Sequence, residues 1–153
     1  MNSPPLSQAP EATSSDPDGF SSVSGWAASA EEACMSIYQT RGSAPWASSR
    51  DYHDNMTLYF MWFRDLLSRT VDALTPIGGS TPESDALIQD MAHLSEPANE
   101  EAGIESKHYL YNQRQDEIDA EVPQVEAAIR SRADALGVPT CGEIAIGNSE
   151  GWG

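Results

Sequence analysis

The pair of cysteines, Cys34 and Cys141, constrains this chain more than any other feature, because the 153 residues contain no others. The two residues bracket the part of the sequence in which apolar residues recur at helical spacing. A bond between them would close a ring around that part, and chain entropy would stabilise the fold by about 4 to 5 kcal/mol. It would also indicate a location outside the reducing cytosol. Two independent, reduced thiols are the alternative.

The charge balance narrows the range of partners. Eight Lys and Arg against 24 Asp and Glu give a formal net charge of -16, which opposes the phosphate contacts that dominate nucleic-acid affinity. Nucleic acid is therefore not expected as a partner, and anionic membrane surfaces are not expected either. Such an acidic chain is typical of a monomer kept soluble by self-repulsion, or of a protein that meets a cationic surface, divalent cations or a basic partner. We expect a monomer whose partner is an unknown protein or small ligand.

Membrane and export signals are both missing from the sequence. The longest apolar run, residues 58–63, is far shorter than the ~20 residues that a transmembrane helix needs. The first residues contain neither a basic segment nor an apolar segment of the kind found in signal peptides. Either an export signal precedes the printed chain, or the protein is cytoplasmic with both thiols reduced. We expect an extracytoplasmic location, secreted or in the cell envelope, with the cytoplasm as the alternative.

Composition divides the chain into three parts. Residues 1–25 are rich in Ser and Pro and contain no Lys or Arg, which predicts a disordered tail or tether. Residues 26–141 carry the helical patterns and are predicted to form one helical bundle domain. Residues 142–153 are short and Gly-rich, and we predict a flexible C-terminal tail.

Capping signals and apolar spacing predict three helices in the first two thirds of the domain. Ser29 and Glu32 form a capping box that predicts a first helix over about residues 30–41. Thr81 and Pro82 predict the start of a third helix. The second helix has a core stripe with steps of three and four residues, formed by Met56, Phe60, Phe63, Leu67, Val71 and Leu74. Leu58, Met61 and Trp62 widen its apolar arc, which predicts contacts with two neighbours.

The last third contains seven-residue series that begin at Ile104 and His108. They predict one long packed helix, or two nearly collinear helices. Because an interior proline removes a backbone hydrogen bond, Pro123 predicts a break or sharp kink near residues 121–122, and Pro97 predicts an interruption near residues 95–96. Gly137 marks a helix end. Strand patterns are lacking, so the predicted class is all-α, an antiparallel bundle of four to five helices.

A short set of residues resembles a known group of proteins. Residues 30–34, Ala-Glu-Glu-Ala-Cys, and residues 133–141, with a Leu-Gly-x-x-x-Cys ending, look like small helical extracytoplasmic proteins and lipoproteins of actinobacteria. These relatives are mostly uncharacterised. The resemblance implies that Cys34 in the first helix pairs with Cys141, and it implies an extracytoplasmic compartment, but it implies no activity. This chain departs from the lipoprotein pattern, since no Cys follows an apolar signal.

One spacing is compatible with metal chemistry. Glu105 and His108 form an E-x-x-H motif, which places a carboxylate and an imidazole one helical turn apart, as in di-iron bundles. A di-iron site needs a second such motif, and residues 90–93, Asp-Met-Ala-His, are a poor substitute. We therefore predict no metal site, no cofactor and no catalytic residue, with Glu105 and His108 as the only metal candidates. His108 and Gln115 are interpreted as a polar layer that sets helix register.

Three hypotheses for the function follow. The first is a non-catalytic, exported helical bundle that acts as an envelope-associated interaction or binding domain. The second is a metal-binding bundle, either enzyme or sensor, that uses Glu105 and His108. The third is a cytosolic, partner-binding helical protein with two free thiols.

Overall fold

The computed structural model describes residues 22–107 and 113–146, with side chains from Gly25 onward. His108 and the greater part of both predicted tails, residues 1–21 and 147–153, lie outside this part of the chain. The described residues form five helices and no strand, which confirms the all-α class. The helices are α1 (Ser22–Thr40), α2 (Tyr52–Leu74), α3 (Pro82–Ser106), α4 (Gln113–Leu136) and α5 (Pro139–Ala145).

The long helices α2, α3 and α4 pack as antiparallel neighbours. Side-chain contacts between them join the start of one helix to the end of the next. The pairs are His53 with Glu105 and Arg64 with Asn99 between α2 and α3, and Asp90 with Arg132 and Glu100 with Arg114 between α3 and α4. Helix α5 packs against α1 and α4 and so joins the two ends of the domain.

Helix α1 begins earlier than its capping signal predicts. It starts at Ser22, so Ser29 and Glu32 lie inside the helix and the predicted start at residue 30 is wrong. The reason is Trp26, which is 1% exposed and stands one turn before the buried Ala30 and Cys34. Burial of a large aromatic side chain outweighs a local capping preference worth about 1 kcal/mol. Residues 22–25 are therefore helical, although the sequence assigns them to the tail.

The core lies between the helices and follows the predicted stripe of α2. Phe60, Phe63, Leu67 and Leu74 are buried, while Met56 and Val71 are half-buried. The predicted wider arc is wrong for two residues, because Leu58 and Met61 are 36% and 38% exposed. Within the described residues, no helix is both long enough and apolar enough to cross a membrane.

Neither proline interrupts its helix, so the predicted interruption near Pro97 and a break near Pro123 are both wrong. Helix α3 runs through Pro97 and helix α4 runs through Pro123 without a break. A proline removes one backbone hydrogen bond and crowds the preceding turn, at about 3 kcal/mol. In α3 the apolar contacts of the turns on both sides, including buried Leu94 and Ala98, offset that cost. Tertiary packing therefore keeps each helix continuous.

The prediction of one long helix, or two collinear ones, from Ile104 onward is also wrong. Ile104 belongs to the end of α3, whereas Ile118 and Val125 belong to α4, which runs antiparallel to α3. Two antiparallel helices produce the same seven-residue spacing as one continuous helix, because each of them presents an apolar stripe to the same core. The spacing alone does not distinguish a continuous helix from a helical pair.

The second cysteine lies in a short helix that the sequence did not predict. Gly137, with φ of +81°, ends α4 in the left-handed conformation as its position predicts. Helix α5 then carries Cys141, whose Cα lies 5.2 Å from that of Cys34, with the two sulfurs 2.06 Å apart. Beyond Cys141, helix α5 continues to Ala145 and Ile144 is 1% exposed, so residues 142–145 are helical where the sequence predicts a flexible tail.

Candidate functional site

Buried polar side chains gather where the start of α2 meets the end of α3. Glu101 and Glu105 lie one turn apart on α3 and are only 4% and 5% exposed. Because α2 and α3 are antiparallel, the first turn of α2 brings His53 to this level. His53 Nδ1 and Glu105 Oε1 lie 2.7 Å apart, a distance typical of a charge-assisted hydrogen bond. Glu105 therefore has a partner that lies 52 residues away in the chain.

Glu101 is less well compensated than Glu105. Its Oε1 atom is buried without a hydrogen-bond partner. Burial first, and then the negative charges of Asp119 and Glu105, raise the pKa of Glu101 from 4.5 to about 7, while a hydrogen bond to Gln115 acts in the opposite direction. At neutral pH part of the population therefore carries a protonated Glu101. The pKa of Asp119 is raised as well, by burial and by Asp116.

Two exposed aromatic rings flank these acids. Trp46 and Tyr52 are 47% and 58% exposed, and their ring centroids lie 6.3 Å apart in an edge-to-face arrangement. The ring of Tyr52 is 5.6 Å from that of His53. Burial, followed by the charges of Glu105 and Glu101, raises the pKa of Tyr52. The rings and the two carboxylates are thus parts of one local environment.

Asn55 holds the loop that carries Trp46. Its side chain is 1% exposed and accepts hydrogen bonds from Ala47 N at 3.0 Å and from Arg50 Nη1 at 2.9 Å. Its amide group donates to the carbonyl oxygens of the same two residues, at 3.0 and 3.2 Å. One buried side chain therefore fixes the turn before α2 and, with it, the position of the neighbouring Trp46.

A third buried acid lies further along the bundle. Glu126 of α4 is 4% exposed, and Tyr59 of α2 is 1% exposed. Burial and the charge of Glu126 raise the pKa of Tyr59, so its phenol stays neutral. The ring of Tyr59 stacks on Phe63, with centroids 6.3 Å apart and planes 2° from parallel. Tyr59 and Glu126 thus form a polar layer inside the core.

Only one of the two predicted metal candidates can be placed. Glu105 lies in the site with His53 as its partner, whereas His108 lies outside the described residues. In the weak second motif, Asp90 pairs with Arg132, and exposed His93 lies 3.2 Å from Glu121. Among the described residues, no group of three or more His, Cys, Asp or Glu side chains has an arrangement that could hold a metal ion.

The sequence interpretation missed His53 and Glu101. Neither residue was named as a candidate, yet both contribute to the site. A signal for Glu101 and Glu105 exists, since they continue the three- and four-residue steps of the buried stripe of α3. The stripe contains Met91, Leu94, Ala98, Glu101 and Glu105. Acids at core positions of such a stripe indicate buried carboxylates.

A shallow groove runs along α1. Glu31, Glu32, Met35 and Gly137 line part of it. Glu31 is already engaged, because its carboxylate accepts hydrogen bonds from the backbone amide and the hydroxyl of Thr140. The groove therefore contains a structural contact between α1 and α5.

The resemblance to actinobacterial extracytoplasmic proteins stays a prediction, and so does the function that goes with it. The description of the site depends only on the geometry of its own residues and not on that resemblance. Protein-family models, curated proteins and solved structures were each compared with the chain, and none of them matches it.

Proposed function

We propose that this chain is a non-catalytic, extracytoplasmic helical domain that binds a ligand or partner in the cell envelope. The observation that carries the proposal is the disulfide distance between Cys34 and Cys141. Both side chains are fully buried, and a bond between them links the first helix to the last. Such bonds persist in oxidising compartments and are rare in the cytosol.

The polar side chains support binding rather than nucleophilic catalysis. The two cysteines, the strongest nucleophiles of the chain, lie at bonding distance from each other. His53 is engaged by Glu105. The aromatic rings of Trp46 and Tyr52 remain about half exposed beside buried acids, an arrangement that suits recognition of a cationic or apolar group.

The redox state of the cysteines tests the proposal. Because both sulfurs are buried in the folded protein, free thiols are trapped by lysing cells directly into a denaturant that contains iodoacetamide, and the mass of the full chain is measured with and without prior reduction. We expect no label before reduction and two labels after it. Two labels without reduction would contradict the extracytoplasmic location and favour the cytosolic, partner-binding alternative. A spiked reduced sample shows that the alkylation goes to completion.

The metal-binding alternative makes a different prediction. If Glu105 and His108 held iron, manganese or zinc, the purified full chain would contain that metal in stoichiometric amount. Elemental analysis measures this directly. The metal content of a Glu105→Gln variant would then fall. A Glu100→Gln variant, changed at an exposed acid of the same helix, would keep its metal.

A further inference from the structure

Aromatic faces and buried acids occur together at one end of α2 and α3. An organic cation within about 6 Å of a ring centroid is attracted by the negative face of the ring. Trp46 and Tyr52 offer two such rings at 6.3 Å centroid separation, each about half exposed. The carboxylates of Glu101 and Glu105 lie close enough to Tyr52 to raise its pKa. The ring of Tyr52 also lies 5.6 Å from that of His53, which is bonded to Glu105, so the aromatic pair is adjacent to the acids.

The buried acids are short of positive charge. Glu105 is paired with His53, but Oε1 of Glu101 is buried without a hydrogen-bond partner, and Asp119 adds a further negative charge from α4. Arg50 lies on the connection that precedes α2, where its guanidinium donates to Asn55. A buried, unpartnered carboxylate oxygen is costly, and a cation bound nearby would lower that cost.

We propose that Trp46, Tyr52, Glu101 and Glu105 form a binding site for a small quaternary ammonium ion. This inference rests on the binding function proposed above and names the class of ligand. Because Oε1 of Glu101 is closed to solvent, the acid attracts a cation through space rather than by direct contact. A quaternary ammonium group suits that geometry, since it has no hydrogen-bond donors to satisfy and its methyl groups contact the aromatic faces.

Proton linkage supports the same site. A bound cation favours the ionised form of Glu101, whose pKa of about 7 leaves part of the population protonated at neutral pH. Binding should therefore release protons. The affinity should rise between pH 6 and pH 8, as Glu101 loses its proton without the help of the ligand. Glu105 faces Glu101 on α3, and Asp119 and Gln115 face it from α4. From α2, Tyr52 lies within reach of its charge, and His53 is the partner of Glu105.

To test this, the full oxidised chain is titrated with tetramethylammonium chloride at constant ionic strength, and calorimetry measures the heat of binding. Sodium chloride is the reference titrant. We expect saturable binding of tetramethylammonium alone, with affinity about two- to fivefold weaker in Trp46→Ala and in Tyr52→Ala. Met61→Ala removes another exposed apolar side chain of α2, which is 38% exposed, and should leave the affinity unchanged.

A Glu101→Gln variant separates the two parts of the site. It should keep the contribution of the aromatic rings but lose the pH dependence of binding between pH 6 and pH 8. Two results would overturn the proposed ammonium site. One is a heat signal for tetramethylammonium equal to that for sodium chloride, and the other is an unchanged affinity for tetramethylammonium in both aromatic variants. Because the aromatic residues are exposed, their variants keep the test valid even if Glu101→Gln fails to fold. Such a failure leaves the thiol result, and with it the proposed location, unaffected.

Discussion

Glu31 of α1 accepts two hydrogen bonds from Thr140 of α5, a residue that lies 109 positions later in the chain. One oxygen receives the backbone amide of Thr140 at 3.1 Å, and the other receives its hydroxyl group. Helix α5 has no side-chain cap of its own. A carboxylate from another helix therefore performs the task of an N-cap at the start of α5.

Replacement of Glu31 should loosen the start of α5. We expect Glu31→Ala to lower the free energy of unfolding by about 1 kcal/mol, the usual cost of losing a cap. Hydrogen exchange of the Thr140 amide, measured by NMR, should become faster than in the unchanged protein. Glu32→Ala, at the neighbouring exposed acid, is the matched control. Equal exchange rates in both variants would show that the Glu31 contact does not support α5.

Loss of the disulfide should destabilise the whole domain. Cys34→Ser with Cys141→Ser removes the cross-link between α1 and α5, and we expect the free energy of unfolding to fall by about 2 to 5 kcal/mol. Urea denaturation with and without a reductant measures this. The reductant should lower the midpoint of the unchanged protein and leave that of the double variant where it is. An unchanged midpoint in the unmodified chain would mean that the bond is absent.

Glu101 should make stability depend on pH. Its pKa is about 7 in the fold, above its ordinary value of 4.5, so the folded state binds more protons than the unfolded state between these values. The stabilisation that Glu101 contributes to the fold is therefore complete below about pH 4.5 and decreases as the pH rises toward 7. After solvent screening we expect a loss of about 1 to 2 kcal/mol. Glu101→Gln should flatten urea-denaturation stability across this range, and an unchanged slope would contradict the assignment.

Asn55 should be among the most sensitive polar positions. Asn55→Ala removes four hydrogen bonds to Ala47 and Arg50, and we expect a loss of about 2 to 3 kcal/mol. Thermal unfolding followed by circular dichroism measures the effect. Asn99→Ala, at an exposed asparagine that accepts one bond from Arg64, should change stability by less than about 1 kcal/mol. Similar losses in the two variants would show that the buried hydrogen bonds of Asn55 contribute no more to stability than the exposed one of Asn99.

Removal of Pro123 should stabilise α4. The residue is exposed inside a continuous helix, so alanine restores a backbone donor without leaving a cavity. We expect Pro123→Ala to raise the free energy of unfolding by about 1 to 3 kcal/mol. Pro139→Ala, in the first turn of α5, is the control, because proline is tolerated there. A loss of stability in Pro123→Ala would indicate that the fold depends on the local geometry of this proline.

The parts of the fold that local spacing determines were predictable from sequence. The stripe of α2, the cap at Thr81 and the helix stop at Gly137 all depend on neighbours within a few residues. The earlier start of α1 and the continuity through Pro97 were not predictable in this way. They depend on burial of Trp26 and on packing around α3, which come from contacts between helices.

The candidate site was only partly predictable for the same reason. Glu105 was recognisable as a notable acid, but its partner His53 comes from another helix, and only the antiparallel packing of α2 and α3 brings the two together. Glu101 stands at a core position of the α3 stripe, and its altered pKa arises from burial and from Asp119 on α4. The sequence of a single helix does not reveal a site whose chemistry depends on three helices.

The bond between Cys34 and Cys141 also determines how the domain carries mechanical load. A pulling force applied before Cys34 and after Cys141 passes from α1 through the two sulfur atoms into α5. The residues between them, which include α2, α3 and α4, are bypassed and bear no tension. With the bond intact, the chain can therefore be pulled from both sides of the cysteine pair without extending α2, α3 or α4.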